Sequence, residues 1–138
     1  MSQQARDLLC LSFIAPSAVA QYRGVDFAGA QIAAAGARVA GISKRPAAAG
    51  EAYEAAAYGT AVCETGGVFA AGVPLVMDAT GRVVAAATLS VASGATAVTS
   101  TAANGAILTG GVPPQFVVGD SLQASTAAGQ FVEVLLSR

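Results

Sequence analysis

Lys44 is the only lysine of the chain and stands between Ser43 and Arg45. A Ser–Lys pair can act as nucleophile and base. Neighbouring residues on a strand point to opposite faces, however, so this trio reads as a solvated basic turn ahead of Pro46. Glu51, Glu54 and Glu64 are the carboxylates that an acid/base pair would need. Glu51 and Glu54 would face opposite sides of a strand, which makes them exposed strand charges. Cys10 and Cys63 lie far apart, with no metal-ligand spacing around them. A single bridge is open to them, and two buried, reduced thiols are the plainer expectation. Asp78-x-Thr80-Gly81 is too short and too poor in acids for a calcium loop. No Gly-x-Gly-x-x-Gly, no Gly-Lys-[Ser/Thr] and no Gly-x-Ser-x-Gly occurs. His is absent, so there is no Ser–His triad and no imidazole ligand. These patterns predict no catalytic residue, no cofactor and no metal.

Composition narrows the classes further. The chain has 138 residues, of which 54% are hydrophobic and 11% charged, against about 25% charged in an average soluble domain. Ala alone contributes 34 residues, so methyl groups rather than large side chains supply much of the apolar character. The formal net charge of −1 argues against nucleic acid as a partner, because phosphate contacts need clustered Lys and Arg. The length suits one domain over residues 1–138. No charged residue occurs from 83 to 119, and so bare a stretch suits a subunit that neighbours cover. Ser, Thr, Gly and Pro interrupt it, which excludes a membrane helix there. Residues 8–14 followed by Ala18-Val19-Ala20 resemble a secretory signal and cleavage site. An exported extracellular β-domain, an adhesin or surface-layer module with residues 1–20 as signal peptide, is therefore the alternative. Asp7 cancels Arg6, and Pro16 ends the apolar run, which favours an N-terminal strand or arm over residues 1–20.

Gly or Pro punctuates most of the chain every few residues, a spacing for short strands and turns. Glu51-Ala52-Tyr53-Glu54-Ala55-Ala56-Ala57 alone has helix propensity, but an internal match argues otherwise. Val39-Ala40-Gly41-Ile42-Ser43 matches Val117-Val118-Gly119-Asp120-Ser121. Ala48-Ala49-Gly50-Glu51-Ala52-Tyr53-Glu54 matches Ala127-Ala128-Gly129-Gln130-Phe131-Val132-Glu133. The second copy runs into an evident strand, so residues 51–57 are predicted to be a strand entered through a turn at Gly50, as at Gly129. Glu133 suggests that the last strand keeps one face partly exposed. Residues 75–77 and 82–84 are predicted as a hairpin, its turn built on Asp78 and Gly81. Residues 88–111 read as an inserted Ser/Thr/Gly-rich hairpin around Asn104-Gly105, with Ile107 and Leu108 on its return arm. Tyr22, Phe27, Tyr53, Tyr58, Phe69, Phe116 and Phe131 are expected to anchor the core. Arg6, Arg23 and Arg38 suit interface contacts.

The chain resembles the capsid cement, or head decoration, proteins of tailed bacteriophages. The resemblance rests on Gly72-Val73-Pro74-Leu75-x-x-Asp78-x-Thr80-Gly81-Arg82-Val83-Val84 and on the ending from Val118-Gly119-Asp120-Ser121 through Ala127-Ala128-Gly129-Gln130-Phe131-Val132-Glu133-Val134-Leu135-Leu136. Val39-x-Gly41-Ile42 with Ala48-Ala49-Gly50-Glu51 matches that family's first half, and residues 88–111 resemble the version in Mu-like phages. Two departures stand out: residues 8–14 are apolar where the family often opens with a polar strand, and Asp120 stands where Arg or Ala is common. The resemblance implies a mostly β fold, a small antiparallel β-barrel or β-sandwich of tulip-like type, with an extended N-terminal arm and an inserted hairpin. It implies a non-enzymatic protein made and assembled in the bacterial host cytoplasm and placed on the outer capsid surface of the virion. There it would bridge subunits of the phage major capsid protein. Its other partner would be itself, as a homotrimer rather than a dimer; no membrane or nucleic acid is implied. The expected contacts are Arg6, Leu8, Leu9, Leu11, Phe13 and Arg23, with the arm adding a strand to a neighbouring sheet edge.

Overall fold

A computed structural model describes residues 4–87, 99–100, 108–109 and 115–137 of the chain. Among these, every regular element is a β-strand: β1 (Asp7–Ile14), β2 (Gly24–Val25), β3 (Gly41–Ser43), β4 (Ala52–Glu64), β5 (Pro74–Met77), β6 (Val83–Ala85), β7 (Thr99–Ser100), β8 (Leu108–Thr109), β9 (Gly119–Ser121) and β10 (Phe131–Leu136). The main sheet runs β2-β3-β4-β10-β9-β5-β6, and β1 also pairs with β4. β6 returns to the exit of β4 through a parallel bridge between Val83 and Thr65, where the Gly66 amide donates to the Val83 carbonyl at 2.8 Å. β4, β10, β9, β5 and β6 thus close into a small antiparallel barrel. β7 and β8 form a separate two-stranded ladder, Thr99 opposite Thr109 and Ser100 opposite Leu108. The Asn104-Gly105 turn expected between them lies outside the described residues.

β4 is the spine. The helix propensity of residues 51–57 yields to tertiary pairing, because this stretch has a strand on each edge: β1 along its length and β3 at Ala55 and Ala56. β1 runs from Ile14 opposite Ala52 to Asp7 opposite Gly59. β10 takes over from there, with Leu136 opposite Gly59 and Phe131 opposite Glu64.

The internal match is a structural duplication. Ser43 pairs with Ala55 and Ile42 with Ala56, just as Ser121 pairs with Val134 and Asp120 with Leu135. Gly24 and Val25 face Ile42 and Gly41, just as Pro74 and Leu75 face Asp120 and Gly119. The correspondence extends upstream, where the side chains carry almost no trace of it. Val19 and Ala47 exchange two amide–carbonyl bonds of 2.8 and 2.9 Å; Phe69 and Ser125 exchange two of 3.0 and 2.9 Å. The Gly50 amide donates to Ala15, the Gly129 amide to Thr65, both at 2.7 Å. Residues 7–56 therefore form one unit and residues 57–136 a second, and β4 is the last strand of the first fused to the first strand of the second.

The letters of the matched motif have separate physical reasons. Gly50 and Gly129 have φ of +86° and +83°, a region L side chains avoid. Gly41 and Gly119 are glycine because a Cβ would strike the backbone of the strand beside them, at the Ala56 and Leu135 carbonyls. The following Glu51 and Gln130 reach back over the turn, accepting from the Ala48 and Thr126 amides at 2.8 and 2.9 Å. The hairpin turns repeat too. Asp78 Oδ1 accepts from the Thr80 and Arg82 amides at 2.8 and 2.9 Å, and Asp26 Oδ1 accepts from the Ala28 and Ala30 amides, each at 2.9 Å. Gly81 and Gly29 both take positive φ, +77° and +82°.

The larger core gathers Ile42, Cys63, Phe69, Leu75, Met77, Val83, Val132, Val134 and Leu136 inside the barrel. A smaller one in the first unit holds Ala15, Val19, Val25, Ala47, Tyr53 and Ala55. Only Tyr53 and Phe69 of the expected aromatic anchors are buried; Phe27, Tyr58, Phe116 and Phe131 are largely exposed. The interior of so small a barrel is filled by Val, Leu, Met and Ala, and Tyr58 and Phe131 fall on outward positions of β4 and β10. Glu133 is the opposite correction: it is buried, not exposed. Its carboxylate accepts from the Thr60 hydroxyl at 2.6 Å and the Gln4 amide at 2.9 Å, which satisfies the charge locally. The cysteines divide: Cys63 is buried, Cys10 is exposed, and both are free thiols.

Candidate interaction surface

β1 carries several exposed large apolar side chains: Leu8 is 76% exposed, Leu9 51% and Ile14 62%. Leu11 is exposed beside them, while Phe13 is half-buried with its ring 5.9 Å from that of Tyr53. The Tyr53 hydroxyl is held by the Gly29 carbonyl at 2.7 Å, and burial, with Asp26 nearby, pushes its pKa up to about 12. β1 is thus anchored at Phe13 and presents leucines elsewhere. Near Gly59, Leu8 meets Tyr58, Leu135 and Leu136 around one shallow groove. Among the described residues β1 pairs with no strand but β4, so its other edge is unpaired. An apolar, unpaired edge is a template for another chain.

Polar contacts pin this strand at its start. Asp7 Oδ2 accepts from Lys44 Nζ at 2.9 Å and from Cys10 Sγ at 2.6 Å. These two donors, the thiol first, hold the Asp7 carboxyl below its ordinary value. Desolvation and the neighbouring carboxylate push the Cys10 thiol up, so it is not an activated nucleophile. Lys44 is therefore an ion-paired clasp between the loop after β3 and β1. Arg6 is exposed, and its backbone brackets Thr60: its amide donates to the Thr60 hydroxyl at 2.8 Å and its carbonyl accepts from the Thr60 amide at 2.9 Å.

Arg23 is engaged within the chain. Its Nε and Nη2 donate to Glu64 Oε2 at 3.0 and 2.7 Å, and its Nη1 donates to the Thr80 carbonyl at 2.9 Å. It ties the turn at Asp78 and Gly81 to the end of β4. Gly50 and Gly129 sit in exposed turns with open space around them.

Composition alone did not indicate a second surface. The Arg38 guanidinium carbon lies 5.6 Å from the Phe27 ring centre and 5.5 Å from that of Phe116. Both rings are largely exposed, and the one guanidinium lies within cation–π range of each. With Val39, Val117 and Leu136 they line a cavity of about 240 Å³. Phe27 belongs to the turn Asp26-Phe27-Ala28-Gly29, whose Asp-x-x-Gly spacing repeats that of Asp78-Ala79-Thr80-Gly81. That spacing was the signal available for placing Phe27 at a surface turn.

No family model matches the chain, and no curated protein matches it either. Among solved structures, the chain is similar to the N base of the head fibre protein gp8.5 of bacteriophage phi29. The TM-score is 0.61 at 15% identity, over 94% of this chain and 93% of that one. At that identity what is shared is the fold, so the chain adopts the all-β architecture found in the base of a phage head fibre.

Proposed function

We propose that this chain is a structural protein of a bacteriophage head. It decorates the outer capsid surface and bridges major capsid subunits as a cement protein. The observation that carries this reading is the fold likeness to the phi29 head fibre base over nearly the whole of both chains. The exposed leucines of β1 and its unpaired edge supply a surface of the kind that docks by strand addition. Copies bound at many equivalent lattice positions would gain avidity from repetition.

The exported-domain alternative is disfavoured by β1 itself. Cleavage after Ala20 would remove the strand that pairs with β4 from Asp7 to Ile14 and uncover the Tyr53 core.

The test is co-sedimentation of the purified chain with capsids of the phage that encodes it, stripped of decoration. Saturable binding, with a rise in the temperature at which the shells release DNA, is the expected result. Absence of binding would overturn the reading.

A further inference from the structure

The two units are joined head to tail, and among the described residues the junction occurs once. At that junction the first unit offers Tyr22 and Arg23, and the second receives them on Glu64 and Phe131. The Tyr22 carbonyl accepts from the Glu64 amide at 3.0 Å, Arg23 pairs with the Glu64 carboxylate at 2.7 Å, and the Tyr22 and Phe131 rings meet edge to face at 5.4 Å. Tyr22 holds a φ of +62° there.

The duplication assigns each of these residues a counterpart. Tyr22 and Arg23 correspond to Gly72 and Val73, because the Tyr22 and Gly72 amides donate to the Ser43 and Ser121 carbonyls, and the Arg23 and Val73 amides to the two serine hydroxyls. Glu64 and Phe131 correspond to Ile14 and Ala52, because each pair is opposed in the same place on the ladder. None of the four counterparts is fully buried: Gly72, Ile14 and Ala52 are exposed, and Val73 is half-buried at the margin of the larger core. Among the described residues, the second unit thus has an unused offering face and the first an unused receiving face.

The chemistry of the two unused faces changes in step. Where the internal junction sets Arg23 against Glu64, the unused faces carry Val73 and Ile14, an ion pair replaced on both sides by apolar groups. Where it sets Tyr22 against Phe131, they carry Gly72 and Ala52, two rings replaced on both sides by small residues. Random drift at two solvent-facing surfaces gives no reason for partners to change together, whereas mutual contact does. Further along, Ile42 and Ala56, which the internal junction buries, become the exposed Asp120 and Leu135.

We infer that a second copy of this chain is the partner of β1: the Gly72–Val73 face of one copy seats on the Ile14–Ala52 face of the next, continuing the internal junction between molecules. This gives a contact for the self-association that the family resemblance implies, and it does not depend on capsid binding. A heterologous contact of this kind builds rings or filaments rather than isologous dimers.

The experiment is a charge transplant followed by analytical ultracentrifugation of the full chain, with circular dichroism and thermal melts to confirm folding. The native chain is expected to associate in a concentration-dependent way. I14E and V73R are each expected to shift at least tenfold toward monomer while folded. The double variant I14E/V73R, which moves the Arg23–Glu64 pairing to the new junction, is expected to associate again. Mixing I14E with V73R is also expected to restore association, because each contact between unlike copies carries either the native apolar pair or the transplanted ion pair. A native chain that stays monomeric, single variants that associate like the native chain, or a folded double variant and mixture that both stay monomeric would overturn the inference. Failure of capsid co-sedimentation with self-association intact would remove only the head role.

Discussion

Ser43 and Ser121 make the same three hydrogen bonds in the two halves of the chain. Ser43 Oγ donates to the Ala20 carbonyl at 2.6 Å and accepts from the Arg23 amide at 3.0 Å, while the Ser43 carbonyl accepts from the Tyr22 amide at 2.9 Å. Ser121 Oγ donates to the Ala70 carbonyl at 2.8 Å and accepts from the Val73 amide at 3.1 Å, while its carbonyl accepts from the Gly72 amide at 2.7 Å. Both hydroxyls are buried, and each fastens the loop before β2 or β5 onto the strand beside it.

Removing either hydroxyl deletes two part-buried hydrogen bonds, one to a carbonyl and one from an amide, a loss of about 1 kcal/mol or somewhat more. Ser43→Ala and Ser121→Ala should therefore destabilise to a similar degree in urea titrations. A neutral result at one site and a full loss at the other would contradict the equivalence of the two loops.

The repeated glycines should separate by mechanism. Gly41→Ala and Gly119→Ala force a Cβ into a neighbouring strand backbone and should cost more than Gly50→Ala or Gly129→Ala. The latter two have open space and suffer only the left-handed backbone penalty of about 1–2 kcal/mol. Chemical denaturation of the four variants checks the order.

Acid sensitivity should centre on the turn at Asp78. Burial raises its carboxyl, but the Arg82 and Thr80 amides, the Thr80 hydroxyl and the Arg82 guanidinium outweigh burial and hold it below its ordinary value. A depressed carboxyl pKa adds stability that is full above the unfolded value, near pH 4, and is lost as pH falls through the folded one. Asp78→Asn should flatten that part of the stability–pH curve. An unchanged acid limb would show that the turn carries none of it.

Thiol labelling should distinguish the cysteines. In the folded I14E variant, Cys10 should react slowly at neutral pH and faster as pH rises above the ordinary thiol range, in keeping with its raised pKa. Cys63 should react only after denaturation, because burial excludes reagent and holds its thiol protonated. Labelling of both in the folded chain would contradict the closed barrel.

Arg23 and Glu64 should be energetically coupled. A double-mutant cycle with alanine at each position should give about 1 kcal/mol, the upper part of the range for partly exposed pairs, and the coupling should weaken with salt. Additive single effects would show that the pair is geometrically close but energetically idle.

Local chemistry wrote much of this fold directly into the chain. Val-x-Gly-x-Ser followed by Ala-Ala-Gly marks a tight strand crossing, a buried stitch and a left-handed turn, each of which demands one residue type. Asp78 and Gly81 mark a hairpin for the same reason, and Asp26 and Gly29 carried an equal signal. The exclusion of imidazole and phosphate-loop chemistry was also plain from residue types alone. Tertiary structure decided the remainder. The first part of each unit is held by amide–carbonyl bonds, so Val19 with Ala47 and Phe69 with Ser125 occupy equivalent places without sharing a side chain. Burial of Glu133 depended on the Thr60 hydroxyl and the Gln4 amide reaching its carboxylate, and the Arg38 guanidinium came to lie over the exposed rings of Phe27 and Phe116 only through folding. Backbone pairing has no preference for the side chains it brings together, which is why the Val-x-Gly-x-Ser and Ala-Ala-Gly part of the duplication was legible in the sequence and its upstream part became visible only in the folded chain.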